Sequence, residues 1–521
     1  MSAIVTDQLR IINAKNFVAE ITSSNNSYYS FVGLTNPENY SGSWDENPPS
    51  PRDSFNDENH IWDTIIGLKK ISSDDVRFAL NKNTWSSGIT YDMYRHDITR
   101  NSLSLPSQST SLYSSSYYII NKDYKVYICL HNGTDPENPN GRPSIDEPTF
   151  TDLEPRSAGS SDDGYIWKYL FTINPSDIVK FDTLNYITAP VDWETNEDYS
   201  AIRNNAINGG QIKVAKITSR GVDVGPANSI YTCKIIGNGT GAEATISINN
   251  QSKVDSITIS KGGSGYTYGK VDLTTGGFPT NSTTDPSFEV IIPPKNGHGY
   301  DIYRELGAKN VLIYSQIKND STNPDFIVGN KIAQLGLVAN PQSFDSTQLL
   351  TSNQASSLYA LKLTGANDAN DYKNASFDAN SEITQTVSTG TTAIGKVVSY
   401  NKNTGVLKYW QDRTQYGFNF SLESGSDGEY GNKLISFTSS IGSGGSLNIN
   451  GGNKQLKIDT TFDGNTFTIN NQNYYLGQVF NDGVSNPEVK KYSGEIVYID
   501  NRPSITRSQN QREDIKIVLQ F

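Results

Sequence analysis

The chain has 521 residues and 57.3 kDa, enough for three or four domains at about 150 residues each, so size alone demands no disulfide or metal staple. Only 35% of residues are apolar and 19% charged, and 43 glycines, 30 tyrosines and 19 phenylalanines point to turn-rich β-structure with aromatic strands. A net charge of -12, from 43 basic and 55 acidic residues, argues against non-specific binding to nucleic acid or to an anionic membrane.

The two cysteines, Cys129 and Cys233, are too few for a disulfide framework and fit a reducing compartment. No apolar run approaches the roughly 18 residues of a membrane span. The start, Met1 to Arg10, lacks the basic and apolar regions of a signal peptide, so synthesis in the cytoplasm is expected.

In chain order, Asp7 precedes Leu9, Ile12, Phe17, Val18 and Ile21, which predict one buried helical stripe. A polar stretch from Asn36 to Asn56 follows, with Pro48, Pro49 and Pro51 excluding helix. Helix signals resume from Glu58 through Ile61, Trp62, Ile65, Ile66 and Leu68. Ser73, followed by Asp74 and Asp75, caps a short helix expected to reach Leu80.

Strands then dominate. Tyr117–Ile120 and Tyr124–Leu130 flank a hairpin turn at Asn121, Lys122 and Asp123. A long polar loop from Asn132 to Asp163 leads to a strand at Trp167–Ile173, and Asn174 and Pro175 open a short helix. Residues 211–297 carry a weak internal repeat, Val214 to Gly221 and Val254 to Gly262, that suggests a small β-sandwich. Strands follow at Val311–Ile317 and Ile332–Val338. Residues 356–492 form a second β-rich stretch, with a hairpin whose Gly405 can take positive φ. Two last strands, Glu495–Ile499 and Ile515–Leu519, are joined through a rigid corner at Asn501, Arg502 and Pro503.

No catalytic set emerges. His60, His96, His131 and His298 are far apart and fit no metal-ligand spacing. The glycine clusters 237–241 and 262–265 lie between β-runs with no helix to receive a phosphate, so they read as turns. Asp74 with Asp75 and Asp162 with Asp163 read as solvated pairs. Asp368, Asn370 and Asp371 lack the glycine and closing glutamate of an EF-hand. Basic residues do not cluster with aromatics as a nucleic-acid face would require.

Three passages carry a resemblance. Gly164-Tyr165 through Ile173, with Asn185, Tyr186, Ile187 and Pro190, resembles a stretch of the T4-like phage baseplate wedge protein, the gene product eight family. Ser493-Gly494-Glu495, the Asn501-Arg502-Pro503 corner and terminal Phe521 are similar to that family's C-terminus. Leu306-Gly307-Ala308 and the helix around Trp62 add weaker likeness. The resemblance covers roughly 1–210, 298–345 and 493–521.

It implies a fold that is mainly β with a helical N-terminal part (α+β), a multi-domain β-sandwich protein. A discontinuous base domain is expected from 1–70, 298–355 and 493–521, with a β-sandwich domain at 71–210 and insertions at 211–297 and 356–492. The implied role is a non-enzymatic subunit of a contractile-tailed phage baseplate wedge in the virion. Its implied partners are a second copy of itself, as a homodimer, and the other baseplate wedge proteins. No nucleic acid, membrane, small-molecule substrate, cofactor, metal or catalytic residue is expected. The alternative is a host-binding tail spike or adhesin with carbohydrate-binding insertions, suggested by the Gly/Ser/Thr/Asn-rich β composition.

Overall fold

A computed structural model describes residues 5–35, 44–98, 107, 109, 111–208, 210–279, 284–318, 331–412, 434–506 and 511–521. The expected polar stretch at 36–56 is therefore described only from Trp44 onward. The protein is mainly β, with 42% strand against 14% helix. It divides into two compact units, one of Met1–Val18, Val76–Leu312 and Ile517–Phe521 and the other of Ala19–Asp75 and Ile313–Lys516.

In the first unit, strands Tyr118–Ile120, Lys125–Asn132 and Tyr165–Thr172 form an antiparallel sheet. Its first turn closes because the Asn121 side chain accepts hydrogen bonds from the N–H groups of Asp123 and Lys125, the turn chemistry that asparagine supplies. Strand Val76–Asn81 pairs with Tyr186–Ala189. The expected helix at 73–80 is corrected here. Only Ser73–Asp75 turns, as a 3-10 segment, because Val76–Asn81 buries Val76, Phe78, Ala79 and Leu80 as a strand paired with Tyr186–Ala189.

Residues from Ile212 to Ile292 build a core of their own. Strands Val254–Ser264, Thr240–Ile248, Ile230–Gly237 and Gly269–Asp272 make a four-stranded sheet, and Val214–Ser219 pairs with Ser287–Ile291. Ile217, Cys233, Ile246, Val271 and Val290 from both sheets meet in one cluster.

The second unit is centred on a five-stranded antiparallel sheet in the order Gln354–Ser356, Ile65–Ile71, Tyr28–Gly33, Lys331–Ala339, Glu495–Thr506. Side chains alternate between its faces. Tyr29, Phe31, Ile65 and Leu68 pack with Ile61 and Trp62 of helix Phe55–Thr64. Val32 and Ile66 pack with Leu358, Val398 and Trp410 on the other face. The helix begins at Ser54, whose hydroxyl accepts from the Asp57 N–H (3.2 Å), and Asp57 and Glu58 favour its first turn electrostatically. It stops at Thr64, earlier than its apolar pattern suggested, since Ile65 and Ile66 enter the sheet. A further seven-stranded sheet contains Thr391–Asn401 and Val406–Trp410, and Gly405 turns between them with φ +70°.

Two more expectations are corrected. In helix Asp7–Thr22 the buried stripe is Ile11, Ala14, Val18 and Ile21, whereas Leu9 and Ile12 are exposed. The Asn501-Arg502-Pro503 corner is not a corner: strand Glu495–Thr506 runs through it. The register against Lys331–Ala339 slips between Ile332 and Gln334, opposite Ile505 and Asn501, so Pro503 sits at an irregularity of an edge strand, where its missing N–H costs no ladder bond.

Candidate functional site

The polar loop at 132–163 is held by the strands around it. Tyr165 donates through its hydroxyl to the Arg142 carbonyl (2.7 Å), and buried Asp163 accepts from the N–H groups of Ile145 (2.8 Å) and Tyr165 (3.0 Å). Asp163 is therefore a loop anchor rather than half of a solvated pair. Lys168, buried in strand Tyr165–Thr172, donates to the Leu153 carbonyl (2.7 Å) and to Asn205 (2.9 Å). Burial lowers its ammonium pKa to about 8.

Between this loop and the 212–262 strands lies a cleft of about 750 Å³ lined by His131, Asp135, Arg142, Glu154, Lys213 and Arg220 among others. Its charges pair with one another. Asp135 meets Arg142 (2.6 Å) and Arg220 (3.3 Å), Arg220 also meets Glu137 (2.9 Å), and Lys213 meets Glu154 (2.7 Å). Burial raises the Asp135 pKa, but bonds from Asn138 and the Arg142 guanidinium outweigh it and leave the carboxyl below its usual range. Burial lowers the His131 pKa below its ordinary value, against the opposing pull of its bond to the Gly164 carbonyl. Such a cleft ties loop to sheet and leaves few charges for a ligand.

The other histidines are also placed. His298 is buried, with Nδ1 2.5 Å from Glu305, whose other oxygen accepts from the Gly299 N–H (2.7 Å), so the pair organises the short helix Ile302–Leu306. His96 Nδ1 accepts from the Ile292 N–H (3.2 Å). His60 is brought together with Asp63 and Asp412, which no sequence spacing indicated beyond the three-residue step from His60 to Asp63. Gly237 ends a strand, two residues separate it from Thr240 at the start of the next, and Gly262 and Gly263 lie at the end of strand Val254–Ser264, so both clusters are turn and sheet-end glycines. Cys129 and Cys233 are buried free thiols, and burial raises both pKa values.

Apolar groups also reach the surface. Val5, Leu9 and Ile12 follow a helical i, i+4, i+7 spacing, and Val179 and Leu184 are 84% and 89% exposed. The edge strand Glu495–Thr506 exposes Val497 and Ile505. Exposed apolar groups are among the features by which a subunit recognises protein neighbours. Among the described residues no helix is long and apolar enough to cross a membrane.

The fold is thus a β-rich architecture built from several antiparallel sheets. Residues 3–158 match the family model Phage-Gp8, described as Bacteriophage T4, Gp8, so this stretch of the chain is similar to that family. The match supports a structural role in the wedge, association with other baseplate proteins and a place in the virion tail. It includes the helix around Trp62 and ends before Gly164–Pro190 and Ser493–Phe521, where the sequence resemblance was most specific. No curated protein sequence matches the chain.

Proposed function

We propose that this chain is a structural subunit of a contractile-tailed phage baseplate wedge that dimerises and links neighbouring wedge proteins during tail assembly. The match of residues 3–158 to the Gp8 family carries the reading. The protein does its work by presenting surfaces and not by polarising a substrate. It is made in the host cytoplasm, takes no cofactor, and engages neither nucleic acid nor membrane. Segments 211–297 and 356–492 are elaborations on the family fold, a reading supported by the separate core that residues 212–292 build from their own side chains. A twofold interface would present one patch to its own copy, and the exposed apolar groups at Leu9 and Ile12 or at Val179 and Leu184 are the first places to test.

The test is the solution mass of the purified chain by light scattering. A particle near twice 57.3 kDa supports the dimer. A stable trimer would overturn it and point instead to a spike or adhesin, to be followed by glycan-binding assays.

A further inference from the structure

Helix Phe55–Thr64 places His60 and Asp63 three residues apart, hence on one face. Asp412, two residues past strand Val406–Trp410, is folded against that face although it is distant in sequence. One ring nitrogen of His60 and one carboxylate oxygen each of Asp63 and Asp412 lie within 4.8 Å of one another, and all three residues are buried. His60 is only 7% exposed, and its Nε2 has no hydrogen-bond partner among the described residues. A buried imidazole nitrogen left without a partner is costly unless something binds it.

From this geometry we infer that His60, Asp63 and Asp412 form a structural site for a divalent cation of the zinc class. A neutral imidazole with two carboxylates balances the charge of such an ion. Imidazole also favours zinc-like ions over calcium or magnesium, which take oxygen donors. Metal–ligand bonds of about 2.1 Å in a tetrahedral site place donors about 3.4 Å apart, so donors that lie within 4.8 Å of one another must draw in by up to about 1.4 Å to hold the ion. The surroundings hold the donors in place. The Tyr492 hydroxyl donates to the Asp63 carboxylate, the outer-shell contact that orients a ligand, and the Lys491 ammonium donates to the Asp63 main-chain oxygen (3.2 Å). The ion would clamp the helix to the end of the strand carrying Trp410. Lys491 is the competing cation, and the site is real only if metal binds in its presence.

The full chain is stripped with a chelator, dialysed and titrated with zinc alone by calorimetry. Cobalt substitution gives an independent optical readout on the unaltered protein. Expected are one zinc per chain, a visible cobalt spectrum displaced by zinc, and a melting temperature that rises with added zinc. His60→Gln and Asp412→Asn, checked for native far-UV circular dichroism, should each bind zinc at least 100-fold more weakly and lose the thermal shift. The inference is overturned if the unaltered chain binds no stoichiometric zinc and gives no cobalt spectrum. It is equally overturned if both folded variants bind zinc as the parent does. Should the variants fail to fold, the parent's stoichiometry and cobalt spectrum decide.

Discussion

Gly164, where the aromatic strand Tyr165–Thr172 begins, tests whether close backbone approach fixes the loop at 132–163. It has φ +81°, and a Cβ there would lie 2.8 Å from the Gly133 Cα. Gly133 is constrained in turn, with φ +73° and space for a Cβ only 2.6 Å from the Asp163 carbonyl oxygen. Both obstacles are backbone, so no side chain can swing aside. Gly164→Ala should cost about 1 kcal/mol for the left-handed conformation. Forcing apart packed backbone adds about 1–3 kcal/mol, for a total of roughly 2–4 kcal/mol. Gly88→Ala is the control, since φ there is +85° but nothing lies within 4 Å of the added Cβ. It should cost only the conformational part, about 1 kcal/mol. Urea unfolding followed by tryptophan fluorescence, with unchanged m, measures both. If the two variants differ by less than about 0.5 kcal/mol, the reasoning from backbone contact is refuted.

Lys168 should give the protein a pH-dependent stability. Its folded pKa of about 8 lies below the usual 10.5, so between these values the unfolded chain holds the extra proton and stability rises with pH. Against Lys168→Met, the parent should gain about 2–3 kcal/mol between pH 7 and 10 in denaturant titrations, and a flat difference would contradict the burial argument. Ile246→Ala removes a fully buried side chain from the 212–292 core and should cost about 2–5 kcal/mol in urea unfolding; a loss under about 1 kcal/mol would mean that this core is not close-packed. Deleting the chain after Ser493 strips strand Glu495–Thr506 from Lys331–Ala339 and leaves a nine-residue strand edge open. Aggregated or unfolded product is expected on size-exclusion chromatography, and soluble native-like protein would count against the sheet order.

Where local signals agreed, the elements were legible. Asn121 and the strand runs around it specify a hairpin without tertiary help, and Asn174 caps the helix that Pro175 opens. Conflicting signals misled. Ser73, Asp74 and Asp75 are good helix-start residues, yet they win only one turn before Val76–Asn81 enters a strand paired with Tyr186–Ala189. Leu9 and Ile12 fell near the helical spacing of Val18 and Ile21, but the buried face reaches those two through Ile11 and Ala14. Pro503 reads as a strand end unless the strand is known to lie at a sheet edge. The donor cluster was the least legible feature. Only the His60–Asp63 spacing is local, and Asp412 joins it through the folding of a distant hairpin.

The central claim is that this chain is a baseplate component, and gold-labelled antibody on purified virions examined by electron microscopy tests it most directly. Gold should collect at the distal plate of the tail and remain there after the sheath contracts. Label confined to the fibre tips, the tail shaft or the capsid, or protein found only free in the lysate, would contradict it.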